Sequence, residues 1–308
     1  MEFTAVFRII SNVRPFCFPA RRSFFCRKEG ENLNQNWIVE NLNNAFSTWN
    51  GKLGELWGLV TTGPQTFKGG AVWSVMQTLH NGMVGIGYAL VVLFFAISLC
   101  KNTMNFHEIK RPEAAIHYFL RFVAAKALVG YGMDIMLNVF SICNGIVTDM
   151  ADSMGGISEA MVSLPAEMQT AIENVGFLAS IPLWLVTILG SLFITVLSFV
   201  MILTVYGRFF RLYMYTALAP LPLAAFAGES TQSVGISFLK SYVGVCLEGA
   251  VIVLACVIYS AFVSTPTVAS GEATTIVWSY LAETVFNMLV LVGLIKGSDR
   301  IIHEMMGL

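Results

Sequence analysis

Residues 177 to 207 hold thirty-one consecutive positions without a charged side chain. A helix that crosses the hydrocarbon layer of a membrane needs about 20 apolar residues, so this run is more than long enough. It must tilt, kink near Pro182 or project beyond the bilayer. Further runs of the same kind lie at 82 to 100, at 127 to 148 with Asp134 as its one charge, at 243 to 263 with Glu248, and at 276 to 295 with Glu283. Across the chain only 12% of residues are charged, against about 25% in an ordinary soluble domain. These runs predict an all-α, polytopic integral membrane protein with about five transmembrane helices. The stretch from 112 to 126, carrying Arg121 and Lys126, reads as a helix that approaches the second crossing with its bases near the headgroups.

Before the first crossing the periodicity changes. Ile38, Leu42, Ala45, Phe46, Trp49, Leu53, Leu56, Trp57 and Val60 fall in one stripe at about 100° per residue, with Asn43, Asn44, Ser47 and Lys52 opposite. Such a helix, over 35 to 62, suits the plane of a membrane interface; packing on a protein partner would produce the same stripe. The chain thus divides into a basic N-terminal extension (1 to 34), this amphipathic helix, and a transmembrane domain from 70 to 308. Arginine and proline interrupt every apolar run in the extension, which excludes a secretory signal. We read it as a mobile appendage or as a translation start set too early.

Basic residues beside membrane helices tend to stay on the cytoplasmic side. Lys101, Lys110 and Arg111, then Arg208 and Arg211, then Lys296 and Arg300 mark three inner positions, and the base-free stretches 149 to 176 and 264 to 275 mark two outer ones. The N-terminus is then outside and the C-terminus cytoplasmic. If Arg208 and Arg211 end a helix on the inside, residues 212 to 228 cannot make a net crossing. Pro220 and Pro222 in their middle therefore predict a re-entrant hairpin with the prolines at its bend. A short kinked span is the alternative.

Little in the chain points to catalysis. His80, His107, His117 and His303 are isolated, no CxxC or HExxH occurs, and GxxxxGK[ST] is absent, so neither a metal, a cofactor nor an enzymatic role is expected. Cys100, Cys143, Cys246 and Cys256 sit in apolar segments as small hydrophobes. "GMVGIG" lies inside an apolar run and suits close helix packing better than phosphate binding. The acids Asp134, Glu248 and Glu283 are costly in a membrane and should face the bundle interior or water. They line a translocation path, or they fix helix packing with Lys240, Lys126 or Arg208 as partners.

The run "YGRFFRLYMYTALAPLPLAAFAGESTQSVGISFLKSYVGVCLEG", with the upstream "RFVAAKALVGYGMDIMLNVF", resembles the TrbL-type polytopic membrane subunit of conjugative type IV secretion machines, in the form found on mobile elements of Gram-positive bacteria. The resemblance implies a membrane scaffold or channel component that helps DNA and relaxase cross during conjugation. It also implies work beside secretion ATPases and other membrane subunits, as a homo-oligomer surrounded by lipid. Arg208, Arg211, Pro220, Pro222, Lys240 and Glu248 fall in the matching run. A secondary transporter or permease subunit for a small solute is the competing function.

Overall fold

The computed structural model describes residues 33–103, 112–153, 161–173, 177–262 and 273–308. The basic extension falls outside them except for its last two residues, as do most of the loop at 264 to 275 and part of that at 149 to 176. The described residues form α1 (Leu33–Thr61), α2 (Ala71–Thr103), α3 (Pro112–Gly130), α4 (Gly132–Ser153), α5 (Ala166–Glu173), α6 (Phe177–Leu218), α7 (Pro220–Ala224), α8 (Gln232–Phe262) and α9 (Ala273–Met306). Among the described residues four helices are long and apolar enough to cross a membrane, and a fifth crossing is counted if the bent pair α3 and α4 forms one span. The protein is an all-α, multi-pass membrane protein.

α6 is the mast of the bundle. Its 42 residues amount to about 63 Å at about 1.5 Å per residue, roughly twice the hydrocarbon thickness. Pro182 lies inside its second turn, where it removes one intrahelical hydrogen bond, and the helix continues through it. Arg208 and Arg211 do not end it either. After Ala219 the chain stays helical through α7 and a short 3-10 turn, Ala225–Ala227.

The expected hairpin at the prolines is therefore replaced by an onward path. Along α2, Trp73 lies beside Tyr213, His80 beside Thr216, Gly87 beside Pro220 and Phe94 beside Gly228, so both chains advance together. Reversal comes at Gly228 to Thr231, where the backbone becomes extended and Thr231 Oγ1 donates to Ala225 O at 2.7 Å. Pro220 stands at the first position of α7, where the amide it lacks is one a helix start leaves unpaired. The prolines punctuate the helix there without turning it back.

α8 returns antiparallel to this path. Gly235 meets Phe226, Tyr242 meets Tyr215 with ring centroids 6.3 Å apart, and Gly249 meets Arg208. α9 then runs with α6, placing Leu281 against Gly190 and Asp299 beside Arg211.

The second crossing is not the straight span expected from 127 to 148. Those residues fall in two helices, α3 and α4, bent by 73° at the break at Tyr131, the geometry of a broken span or of a re-entrant loop. Gly130 and Gly132 flank the bend because neighbours come too close for a side chain. A Cβ on Gly130 would lie 2.8 Å from Tyr88 Oη, and one on Gly132 would lie 3.2 Å from Leu223 Cδ1.

α1 keeps its predicted stripe, but α6 covers it. Ile38, Leu42, Trp49, Leu53, Leu56 and Val60 are fully buried, and α1 runs parallel to α6. The Trp37 and Trp184 rings lie 5.8 Å apart, Asn41 Nδ2 donates to Ser191 Oγ at 3.3 Å, and Tyr206 Oη donates to Glu55 Oε1 at 3.0 Å. The stripe is thus an intramolecular packing face, which corrects the expectation that lipid covers it. Its polar side carries the close pair Lys52 and Glu55, and the hydrogen bond from Lys52 holds the Glu55 carboxyl below its usual range. The link to α2 is pinned by Phe67, stacked on Phe209 at 4.1 Å, and turns through positive φ at Lys68, Gly69 and Gly70.

Two apolar cores result. One joins α1, the end of α4 (Val147, Ala151), α5, most of α6 to Tyr213, the second half of α8 and α9; the other joins α2, α3, the first part of α4 (Met136, Phe140, Cys143), Leu212, Ala219 to Ala227 and the first half of α8. On α8 the division is clean, with Tyr242, Val245 and Cys246 in one core and Ile252, Val253 and Cys256 in the other.

Candidate functional site

Between the two cores lies a layer of charge. α8 contributes Glu248 and Gly249, which fall in the gap between its two sets of core residues. α6 contributes Arg208 and Arg211, one turn apart and so on neighbouring positions of one helix face. Both arginines were expected to end the helix at a cytoplasmic turn, and α6 runs on past both with Arg208 buried and Arg211 half-buried in the bundle.

Arg208 has no exposed surface. Its guanidinium donates to Val245 O at 3.2 Å, to Cys246 O at 3.0 Å and to Val60 O at 3.4 Å. Val60 is in the last turn of α1, whose carbonyls have no partner within their own helix. A cation at that negative end is favoured by the helix dipole as well as by the hydrogen bond. Asn144 Nδ2 caps the same end through Thr61 O at 3.3 Å. The α8 carbonyls are reachable because residue 249 has no side chain: a Cβ there would sit 2.8 Å from the guanidinium.

Arg211 answers the adjacent residue. Its Nη2 donates to both carboxylate oxygens of Glu248 at 2.7 Å, and its Nη1 donates to Asp299 Oδ1. Glu248 is 1% exposed and also accepts from Ser298 Oγ at 3.3 Å. Every strong acceptor of this buried carboxylate is thus turned toward a donor, which is the condition for keeping a charge out of water. The four polar residues Arg208, Arg211, Glu248 and Asp299, with Gly249, tie together α1, α6, α8 and α9.

The remaining sequence candidates are scattered. Pro220 is buried and Pro222 half-buried at the α6–α7 junction, where Pro220 O is near enough to Gly87 that a Cβ on that glycine would lie 2.9 Å away. Asp134, Lys240 and Glu283 are exposed, away from the charged layer. The partner of Glu248 is Arg211, and not Lys240, Lys126 or Arg208 as expected. Sequence reasoning missed Asp299 and Ser298, which read as a polar tail after the last crossing, and His80, buried with Nδ1 2.7 Å from Thr216 O. The signal available for the layer was the pair of spacings: arginines three apart on one helix, and a glutamate followed by glycine on another. Cys143, Cys246 and Cys256 are buried as expected, and Cys100 is exposed.

A model of the family described as TrbL/VirB6 plasmid conjugal transfer like protein matches residues 49–220, more than half of the chain. The chain belongs to the TrbL/VirB6 family. The match begins in the second half of α1 and ends at Pro220, so it takes in Arg208, Arg211 and the α6 mast but stops short of Glu248. No curated protein and no solved structure matches the chain. As a TrbL/VirB6 family member, it is a membrane component of conjugal transfer systems.

Replacing Glu248 by Leu leaves the half-buried Arg211 with Asp299 as its remaining acid and is expected to cost about 1–3 kcal/mol of stability. Adding Arg211→Leu to the same protein should recover most of that loss. The check is a double-mutant cycle on unfolding in detergent, and additive losses would contradict the pairing.

Proposed function

We propose that this chain is a scaffold or channel component of a conjugative type IV secretion apparatus, assisting passage of relaxase-bound DNA through the cell membrane. The observation that carries the reading is the family match across α1 to α6. The charged layer supports a structural part in that machine. Its donors and acceptors satisfy one another and tie four helices, which suits a rigid support better than chemistry on a substrate. The neighbours in this reading are the secretion ATPases and other membrane subunits, and the transferred DNA touches the chain at most in passing.

The architecture also supports a sidedness. α2 ends beside the Gly228 turn, because Phe94 meets Gly228, Phe95 meets Phe122 at 4.7 Å and Arg121 lies 3.9 Å from Glu229. Lys101 and Arg121 fall toward that end and the base-free α5 toward the other, while Arg300 stands beside the charged layer. In this reading the Gly228 turn and the C-terminus face the cytoplasm, while α5 and the start of α1 face outward. In this reading α3 and α4 together make one crossing, and residues 212 to 228 complete a crossing that α6 has begun, which keeps the count at five without the hairpin.

Two experiments test the reading. Deleting the gene from its mobile element should abolish transfer without slowing growth of the host, with recovery on complementation; undiminished transfer would refute the role. In a protein whose native cysteines are replaced by serine, an impermeant thiol reagent added to intact cells should label Thr170→Cys and spare Ser230→Cys until the membrane is opened. The reverse pattern would overturn the orientation and leave the transfer role to be judged by the deletion.

A further inference from the structure

Two cysteines far apart in the chain meet inside the bundle. Cys143 on α4 and Cys246 on α8 lie in the same apolar core, and the Cys246 thiol donates a hydrogen bond to Cys143 Sγ. Tyr242, one turn before Cys246, fixes the register of the two helices by donating to Met136 O at 2.8 Å. Cys256 is buried in the other core, and Cys100 is exposed on α2.

A small hydrophobe would fill either position, but the pair does not stand in purely apolar surroundings. Arg208 Nη2 donates to Cys246 O at 3.0 Å, and the guanidinium charge acts on both sulfurs. Arg208 is fully buried and bonds to three neutral carbonyls, while Glu248 is taken up by Arg211. Among the described residues no carboxylate bonds to Arg208 directly. A buried cation is best held by a charge of opposite sign, and a cation beside a thiol favours the thiolate, the nucleophilic form. Cys143 is the sulfur a small reagent meets first, being 6% exposed against 0% for Cys246.

We propose that Cys143 and Cys246 are a peroxide-reactive dithiol, in which Cys143 attacks and Cys246 resolves to give a disulfide between α4 and α8. The oxidant is hydrogen peroxide, which is small and uncharged. The Cys143 sulfur takes one hydroxyl from peroxide to become a sulfenic acid, and the other leaves with the Cys143 proton as water. The Cys246 sulfur then displaces the sulfenic hydroxyl, the S–S bond forms, and that hydroxyl leaves with the Cys246 proton as a second water. The two thiols lose two electrons and two protons, and one peroxide becomes two waters. The bond staples α4 to α8 about one turn from Gly249, the glycine that admits Arg208, and next to Asn144, which caps α1. The inference stands on the thiol pair and its cation and does not depend on the role in conjugal transfer.

The test treats membranes holding the intact chain with hydrogen peroxide, quenches with catalase, denatures in N-ethylmaleimide and maps the digested protein by mass spectrometry. The expected product is a pair of peptides joined through Cys143 and Cys246, with maleimide lost from both together and restored when a reductant precedes the maleimide, while Cys256 keeps its maleimide. In Cys246→Ser the reaction stops at the sulfenic acid, so dimedone labels Cys143; in Cys143→Ser dimedone leaves Cys246 unlabelled. Free thiols at both positions after peroxide, joining of either to Cys100 or Cys256 as readily as to each other, or dimedone on Cys246 in Cys143→Ser would each overturn the proposal.

Discussion

The fold depends on neutralising two arginines inside an apolar bundle. A guanidinium surrounded by hydrocarbon is costly, and α6 would have to end near Arg208 if nothing met it. Three backbone carbonyls meet Arg208, and two carboxylates meet Arg211. The helix can then run on past both residues. One of those carbonyls belongs to the C-terminal turn of α1, so the same interaction anchors the amphipathic helix whose stripe lies on α6. Gly249 is as much a part of the clasp as the charges are, because any side chain there would displace the guanidinium.

The clasp also divides the molecule. Above and below it the packing is apolar, and the two cores share α6 and α8 as continuous struts. A polar layer between two hydrophobic cores fixes register, since sliding α8 by one turn along α6 would set Glu248 against apolar side chains and leave Arg211 with one acid. Specificity of this kind is attained at some cost in stability relative to a wholly apolar contact.

Much of this was legible in the sequence. The 3.6-residue stripe of α1 was visible because amphipathicity survives whichever apolar surface covers it; what the stripe could not reveal was that α6 covers it. The long uncharged runs marked the apolar helices, because length and hydropathy alone decide which segments can span. The depth of Arg208 and Arg211 was not legible. Charge patterns report where a helix can end, whereas burial depends on acceptors far along the chain, at Val60, Val245, Glu248 and Asp299. Misplacing the arginines led directly to the hairpin, since a chain thought to have surfaced at Arg211 had to dip and return. The bend at Tyr131 was hidden for another reason: two glycines in an apolar run look like packing residues, and here they are, with the kink following from what they let in.

The central claim is that the chain from α6 to the Gly228 turn proceeds in one direction. It is tested most directly by the distance between spin labels at Leu203 and Glu229, both exposed, in protein reconstituted into bilayers. The onward path predicts a separation of about 30–40 Å, as expected for 26 helical residues with a kink. A hairpin bent at Pro220 would bring Glu229 back level with Arg211, and a distance under about 20 Å would contradict the account.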